Sequence, residues 1–413
     1  MDRQKLYNYA DLVMKVGLRV KEGDRVSISS SVDQSEFAEI LVEAAYKNGA
    51  RHARVDFADA KITKLNLQYQ TTEDLKEINQ YFVDHRESML DDHYKFVSIT
   101  GGDPKVFEGT DPEKFAVMTQ AGAEAMKKIS ARMMANDCSW CVVGAANKDW
   151  AKVIYPDLDE NEAVEKLWDL ILYTVRADLE NPIKEWEDHM NRLTKRAEWL
   201  NSKNFDYLEY KTDKGTDLKI GLPKGYKFLA AIEENSQGEF FVPNMPTEEV
   251  FSMPDKRRMD GVVYSTKPLN YAGNLIDNFK LEIKDGKVVS SEAEVGAEVL
   301  KNLLASDEGA SRFGEVALVP YHSPISLTST LFYNTLYDEN ASCHLALGKA
   351  YPTTIENGLN MSKEELDEAG VNDSLIHIDF MIGDETLTID GVSHSGERIA
   401  IFRNGDFVDE VDK

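Results

Sequence analysis

The chain has 413 residues, 42% of them apolar and 29% charged, and its formal net charge is −26. This length exceeds one ordinary core and predicts two domains or more, while the composition excludes a disordered or fibrous chain. The charge sets the surface against phosphate backbones and anionic lipid, so no nucleic-acid or membrane partner is expected, and long-range attraction favours cationic ligands, free amino groups among them.

The opening stretch, MDRQKLYNYADLVMKV, is charged and amphipathic and has no apolar signal-peptide core. No run approaches the ~20 apolar residues of a spanning helix. Cys138, Cys141 and Cys343 make no disulfide framework, which fits a reducing cytoplasm.

Strands and helices then alternate. RVSISS (25–30) reads as a strand, and 33–50 has helical spacing with Asp33 as N-cap and Gly49 as stop. HARVDFAD is a second strand, helical stretches surround 73–90, and YKFVSIT (94–100) is a third strand. A long helix over 111–136 leads to a buried strand at 138–146. Alternation of this kind predicts a layered sheet with parallel crossovers. Two helical stretches follow, one to about Glu180 and one from Pro182 to about Asn204, broken at Asn181-Pro182.

Beyond 205 the character changes to short alternating strands joined by Asp-Gly and Asn-Gly turns. The fold expected is an α/β N-terminal layered domain with bridging helices over 1–204, then a mostly antiparallel β (α+β) C-terminal domain over 205–413, which carries the chemistry.

HIDFMIG (377–383) is the most informative of these strands. Side chains two apart share a face, so His377, Asp379 and Met381 look one way and Ile376, Ile378, Phe380 and Ile382 look into a core. NASCHLALGKAY sets His344, Ala346 and Gly348 on one face, with small neighbours leaving room at the histidine and Tyr351 seven residues on. Glu315 starts the strand in RFGEVALVP, and NMPTEEVFSMP offers Glu248 and Glu249. Carboxylates set in apolar strands are costly unless paired, protonated or metal-bound. Two histidines and three or more acids exceed the roughly three ligands of one catalytic zinc and suit two metals sharing a carboxylate. Cys138-Ser-Trp-Cys141 lacks the second pair a zinc site wants and sits on an apolar strand, so packing is its expected role. TGGDPKVFEG (100–109) lacks phosphate-loop spacing, and Ser323 with His322 lacks a nucleophile-elbow context. His52, His85, His93, His189 and His394 lie in polar surroundings and are expected at the surface.

PTEEVFSMPDKRR, RFGEVALVP, ENASCHLALGKAY and HIDFMIG, in that order, resemble the thermophilic-type metalloaminopeptidase family, and YADLVMKVGLRVKEGDRVSISS and WCVVGAANKDWAKVIYP extend the likeness over the whole length. The resemblance implies removal of N-terminal amino acids from peptides by a water activated between two divalent metal ions (Zn, Co or Mn) in the C-terminal domain. It implies Glu249, Glu315, His344, Tyr351, His377 and Asp379 as metal ligands, selecting Glu249 over Glu248, which the bare sequence does not. Glu339 matches a further acidic position of catalytic character. Tyr351 is left between metal binding and stabilisation of the oxyanion. The resemblance also implies a cytosolic homodimer acting on peptides with a free N-terminus. Two other readings are a mononuclear non-haem iron oxygenase using His344, His377 and Asp379, and a non-catalytic protein holding a small ligand at the strand ends of the first domain.

Overall fold

The computed structural model describes residues 3–271 and 274–412. Their contacts form two compact units, Met1–Glu187 with Ile232–Pro246, and Asp188–Ala231 with Thr247–Lys413.

In the first unit, parallel strands lie in the order His52–Ala58, Arg25–Ser31, Lys95–Thr100, Trp140–Gly144 and Asn244–Met245. A parallel pair needs a crossover long enough for a helix. Helix Ser35–Lys47, the set Ala60–Tyr69, Thr72–Lys76 and Gln80–Asp91, and helix Pro112–Met134 fill the first three connections. Local chemistry sets their starts. Asp111 accepts hydrogen bonds from the amides of Glu113 and Lys114, with Pro112 in the first turn, and Thr71 forms a reciprocal capping box with Asp74. Asp33 does not cap its helix: it lies in a 3₁₀ turn, Val32–Gln34, and the helix begins at Ser35 without a side-chain cap. Strand Asn244–Met245 draws the segment Ile232–Pro246 back to this sheet, a pairing between distant segments that no local pattern announces.

Helix Glu160–Thr174 stops short of the predicted end near Glu180. Arg176 takes the left-handed conformation at φ 57. Its N–H donates to Tyr173 O at 3.0 Å, and Ala177 N–H donates to Leu172 O at 2.8 Å. Those paired bonds usually close on glycine, so an arginine there hides the stop from a sequence reading. Helix Pro182–Lys203 follows.

All three cysteines are free and buried. Burial pushes the Cys138 thiol up to about 11 and the Cys141 thiol higher still, which removes the thiolate needed for metal binding or redox attack. Cys141→Ser should therefore cost about 1–2 kcal/mol of stability, from a hydroxyl set in an apolar strand, and leave kcat unchanged. Denaturation curves and steady-state kinetics on the same preparation check this; a large fall in kcat without unfolding would give the pair a chemical role.

The second unit holds two antiparallel sheets among the described residues. The larger runs Leu269–Tyr271, Asn274–Lys284, Met259–Tyr264, Asp217–Gly221, Phe205–Lys211, Thr388–Ser393, Arg398–Arg403 and Asp406–Phe407, with Lys287–Val295 paired on Asn274–Lys284. Asp285-Gly286 turns one hairpin with both residues at positive φ, 52 and 73, the conformation that matches strand twist and favours this dipeptide. The smaller sheet runs Val250–Ser252, Phe313–Leu318, His344–Gly348 and His377–Met381. Phe380, fully buried on its back face, packs on Phe279 of the larger sheet at 5.3 Å and on Phe313 at 6.4 Å between ring centroids. This contact anchors the strand whose other face carries His377 and Asp379.

Candidate metal centre

The front face of the small sheet is built by register. Glu315 pairs with Ala346, and Ala346 pairs with Asp379. Two carboxylates thus flank a methyl group, which leaves space between them. His344 stands two residues before Ala346, and His377 is opposite Gly348. Gly348 is required here: its φ is 101, and an added Cβ would lie 2.1 Å from Ile376 O. A register irregularity between Phe313 and Glu315 turns the glutamate into this row. Glu249 enters from the residue before strand Val250–Ser252, which pairs with the Glu315 strand.

The resulting geometry is compact. His344 Nε2 lies 3.2 Å from Glu249 Oε2 and 3.4 Å from Glu315 Oε1. His377 Nε2 lies 3.6 Å from Glu315 Oε2 and 3.3 Å from Asp379 Oδ1. Two groups of possible ligands follow, Glu249–Glu315–His344 and Glu315–His377–Asp379, each with its ligand atoms within 4.8 Å of one another. The Glu315 carboxylate belongs to both groups and turns one oxygen to each. The histidines are oriented from behind. Nδ1 of His344 donates to Ser342 O at 3.2 Å, and Nδ1 of His377 donates to Lys349 O at 2.7 Å. A carbonyl only accepts, so each Nδ1 carries the hydrogen and each Nε2 points into the cluster, the arrangement that suits a metal-binding imidazole.

Electrostatics shows what the cluster wants. Burial, then the Asp379 and Glu249 charges, push Glu315 up to about 7 against its contact with His344. Burial opposes charge on the histidines, yet Glu249 and Glu315 hold His344 well above its ordinary value, and Asp379 with Glu315 raise His377 to about 9. Burial works against the charged Asp379 as well, and His377 still holds its carboxyl low. The cluster thus favours positive charge among its acids. Glu249 Oε2 and Asp379 Oδ1 are buried without an aligned hydrogen-bond donor, although an imidazole nitrogen lies near each. Carboxylate and imidazole donors without thiolate fit a hard or borderline divalent ion, and the orphaned oxygens are the acceptors such an ion would satisfy.

Glu339 and Tyr351 lie at the margin. Glu339 opens the 3₁₀ turn Glu339–Ala341 and is half-buried. Burial and the charges of Asp379 and Glu249 lift its carboxyl well above the usual range, which places it within the field of the cluster. The Tyr351 ring stands 4.8 Å from His377, centroid to centroid. Burial, then Glu315 and Asp379, raise its phenol strongly.

Glu248 and Glu249 separate. Glu248 is 3% exposed and turns its Oε2 towards His189 Nε2 at 3.7 Å. His189 is a correction to the sequence reading: it is 2% exposed, and its Nε2 bonds Thr247 O at 2.8 Å. It lies on helix Pro182–Lys203, where Glu187 and Asp188 beside it in sequence suggest a surface position that the fold does not give it. The sequence reading also missed Asn340, wholly buried beside Glu339; a single amide after an acid carries no recognisable signal.

The sequence matches the family described as thermophilic metalloprotease (M29) over residues 2–407. It is 41% identical to aminopeptidase AmpS of Bacillus subtilis (strain 168) over 404 residues, covering 98% of each chain. It is 42% identical to aminopeptidase PepS of Streptococcus thermophilus over 407 residues, again 98% of each. Among solved structures, wild-type AmpT from Thermus thermophilus superposes with a TM-score of 0.93 at 34% identity, covering 99% of this chain and 100% of that one. A 2,5-dihydroxypyridine dioxygenase from Pseudomonas putida KT2440 superposes with a TM-score of 0.54 at 12% identity over 100% of both chains, a likeness of fold alone. With a family match along nearly its whole length and close relatives that are aminopeptidases, the chain belongs to the thermophilic metalloprotease (M29) family and is a metalloaminopeptidase, a hydrolase of the exopeptidase class.

Proposed function

We propose that the second unit performs the aminopeptidase reaction with two divalent ions, one held by Glu249, Glu315 and His344 and the other by Glu315, His377 and Asp379. The supporting observation is the shared Glu315 carboxylate, with Oε1 towards one histidine and Oε2 towards the other. When bound, such ions polarise a carbonyl and lower the pKa of a water. Glu339, at the margin of the cluster, takes the proton of the attacking water and delivers it to the leaving amine. Tyr351 either adds its oxygen to the ligand set or donates its O–H to the developing oxyanion. The formal net charge of −26 draws the free α-ammonium of a peptide towards the protein and favours cleavage from the N-terminus. Zn, Co and Mn all accept this donor set. Action as a homodimer in the cytosol belongs to the same proposal.

Removing metal tests it. Chelation should abolish activity, and titration of ions back should restore it with an end point of two per chain. Full activity in metal-free protein would overturn the reading, and an end point of one would overturn the ion count.

Loading should also depend on pH. His377, at about 9 without metal, and Glu315, at about 7, must shed protons to bind an ion. Protons and metal compete, so apparent affinity falls as pH falls. One displaced proton gives about a tenfold change per pH unit below the free group's pKa. Metal titrations between neutral pH and pH 9 should tighten with pH and release protons into a weakly buffered solution; a flat profile would mean the imidazoles are not ligands.

A further inference from the structure

We propose that Asn340 is the positioning residue that fixes Glu249 and Glu339 in one frame, an inference that rests on reading the first as a ligand and the second as the proton carrier. Asn340 is 0% exposed. Its Oδ1 accepts a hydrogen bond from the backbone N–H of Glu248 at 2.8 Å. Its Nδ2 donates to Leu336 O at 3.2 Å and to Glu339 Oε1 at 3.4 Å. Its own carbonyl accepts from Ser323 Oγ at 3.3 Å. One side chain thus holds the backbone next to Glu249 with its acceptor and the Glu339 carboxylate with its donors.

Both segments are short. Glu249 precedes an edge strand of only three residues, Val250–Ser252. Glu339 sits where the helix Thr335–Asp338 tightens into a single 3₁₀ turn. Short elements of this kind do not hold a side chain to a fraction of an ångström unaided. The strand pairing with Phe313–Leu318 fixes Glu249 from its C-terminal side, and Asn340 fixes it from its N-terminal side through Glu248. The requirement is chemically narrow. An aspartate lacks the donor, a serine is too short to span both partners, and only an amide offers an acceptor and two N–H groups in one plane. A proton carrier must keep its reach to both water and leaving group, so a carboxylate free to swing away loses rate without losing the ions.

Asn340→Asp is the decisive variant because it keeps the shape. One oxygen still accepts from Glu248 N–H, while the other turns a repelling carboxylate towards Glu339. The measurements are kcat, KM, metal content and melting temperature for Asn340→Asp, Glu339→Gln and the double variant. For Asn340→Asp, kcat should fall 10–100-fold, the usual worth of an outer partner of a metal site, with KM little changed and both ions retained. In the Glu339→Gln background the same change should have almost no further effect on kcat, since Asn340 acts through Glu339. Asn340→Ala removes both contacts and should weaken metal binding as well; should it not fold, the aspartate variant still decides. Wild-type kcat in Asn340→Asp, or losses that multiply in the double variant, would overturn the proposal. Near-normal kcat in Glu339→Gln alone would instead overturn the proton-carrier reading on which it stands.

Discussion

Glu339→Gln should leave folding and metal content intact and lower kcat by roughly 10²–10⁴-fold, the usual worth of general acid–base catalysis. The glutamine keeps the size and hydrogen-bonding shape of the side chain but carries no exchangeable acid. KM should change little, because the lost interaction acts while the proton moves and not while the peptide binds. The position suits the role. Burial and the neighbouring carboxylates Asp379 and Glu249 raise the Glu339 carboxyl well above its ordinary range in the metal-free protein, with His344 opposing. Bound divalent ions would reverse the sign of that field and lower the group's pKa again. Elemental analysis beside kinetics on the purified variant is the check. Depleted metal would make Glu339 a ligand, and near wild-type kcat would leave it only a structural part beside Asn340.

Much of this arrangement is written in period-two patterns. The shared face of His377 and Asp379, and that of His344, Ala346 and Gly348, follow from strand alternation alone, and the paired strands show both. The parallel sheet of the first unit follows from alternating helices and strands whose apolar faces demand a layer between them. What stayed hidden depends on contacts between distant segments. The register that brings Glu315 opposite Ala346 includes an irregularity at Phe313, and nothing in RFGEVALVP announces it. The difference between Glu248 and Glu249 is one residue of strand entry, decided by His189 and Asn340, each far away in the chain. The anchors of both imidazoles are backbone carbonyls, of Ser342 and Lys349, which every residue owns and no sequence marks. Conversely, the acids that the pattern could only enumerate become informative once placed. Five ligand-type side chains, the shared Glu315 carboxylate among them, exceed what a two-histidine, one-carboxylate iron centre uses, in keeping with a peptidase whose fold alone resembles the dioxygenase.

Glu315→Gln should have the other large effect, and of a different kind: loss of at least one ion per chain together with activity. The wild-type carboxylate offers one oxygen towards His344 and one towards His377, at 3.4 and 3.6 Å from their Nε2 atoms. An amide keeps a single oxygen and replaces the other with an N–H₂ group that cannot ligate. It also removes the negative charge that offsets repulsion between neighbouring cations, and the remaining acids sit on only one side each, Glu249 with His344 and Asp379 with His377. In the metal-free protein the change should be tolerated, because burial already holds Glu315 up to about 7 and a neutral group there costs less than a charged one. Stability without metal should therefore stay near wild type or rise, while the stabilisation that added metal gives the wild type should shrink, since an ion that binds only the folded state raises the melting temperature with its occupancy. Glu248→Gln is the matched control: the same chemistry one residue from Glu249, facing His189, should keep both ions. Metal content by elemental analysis, with melting curves taken with and without added ion, separates the cases. Two retained ions and normal kcat in Glu315→Gln would remove Glu315 from the centre and leave the two triads without their common member.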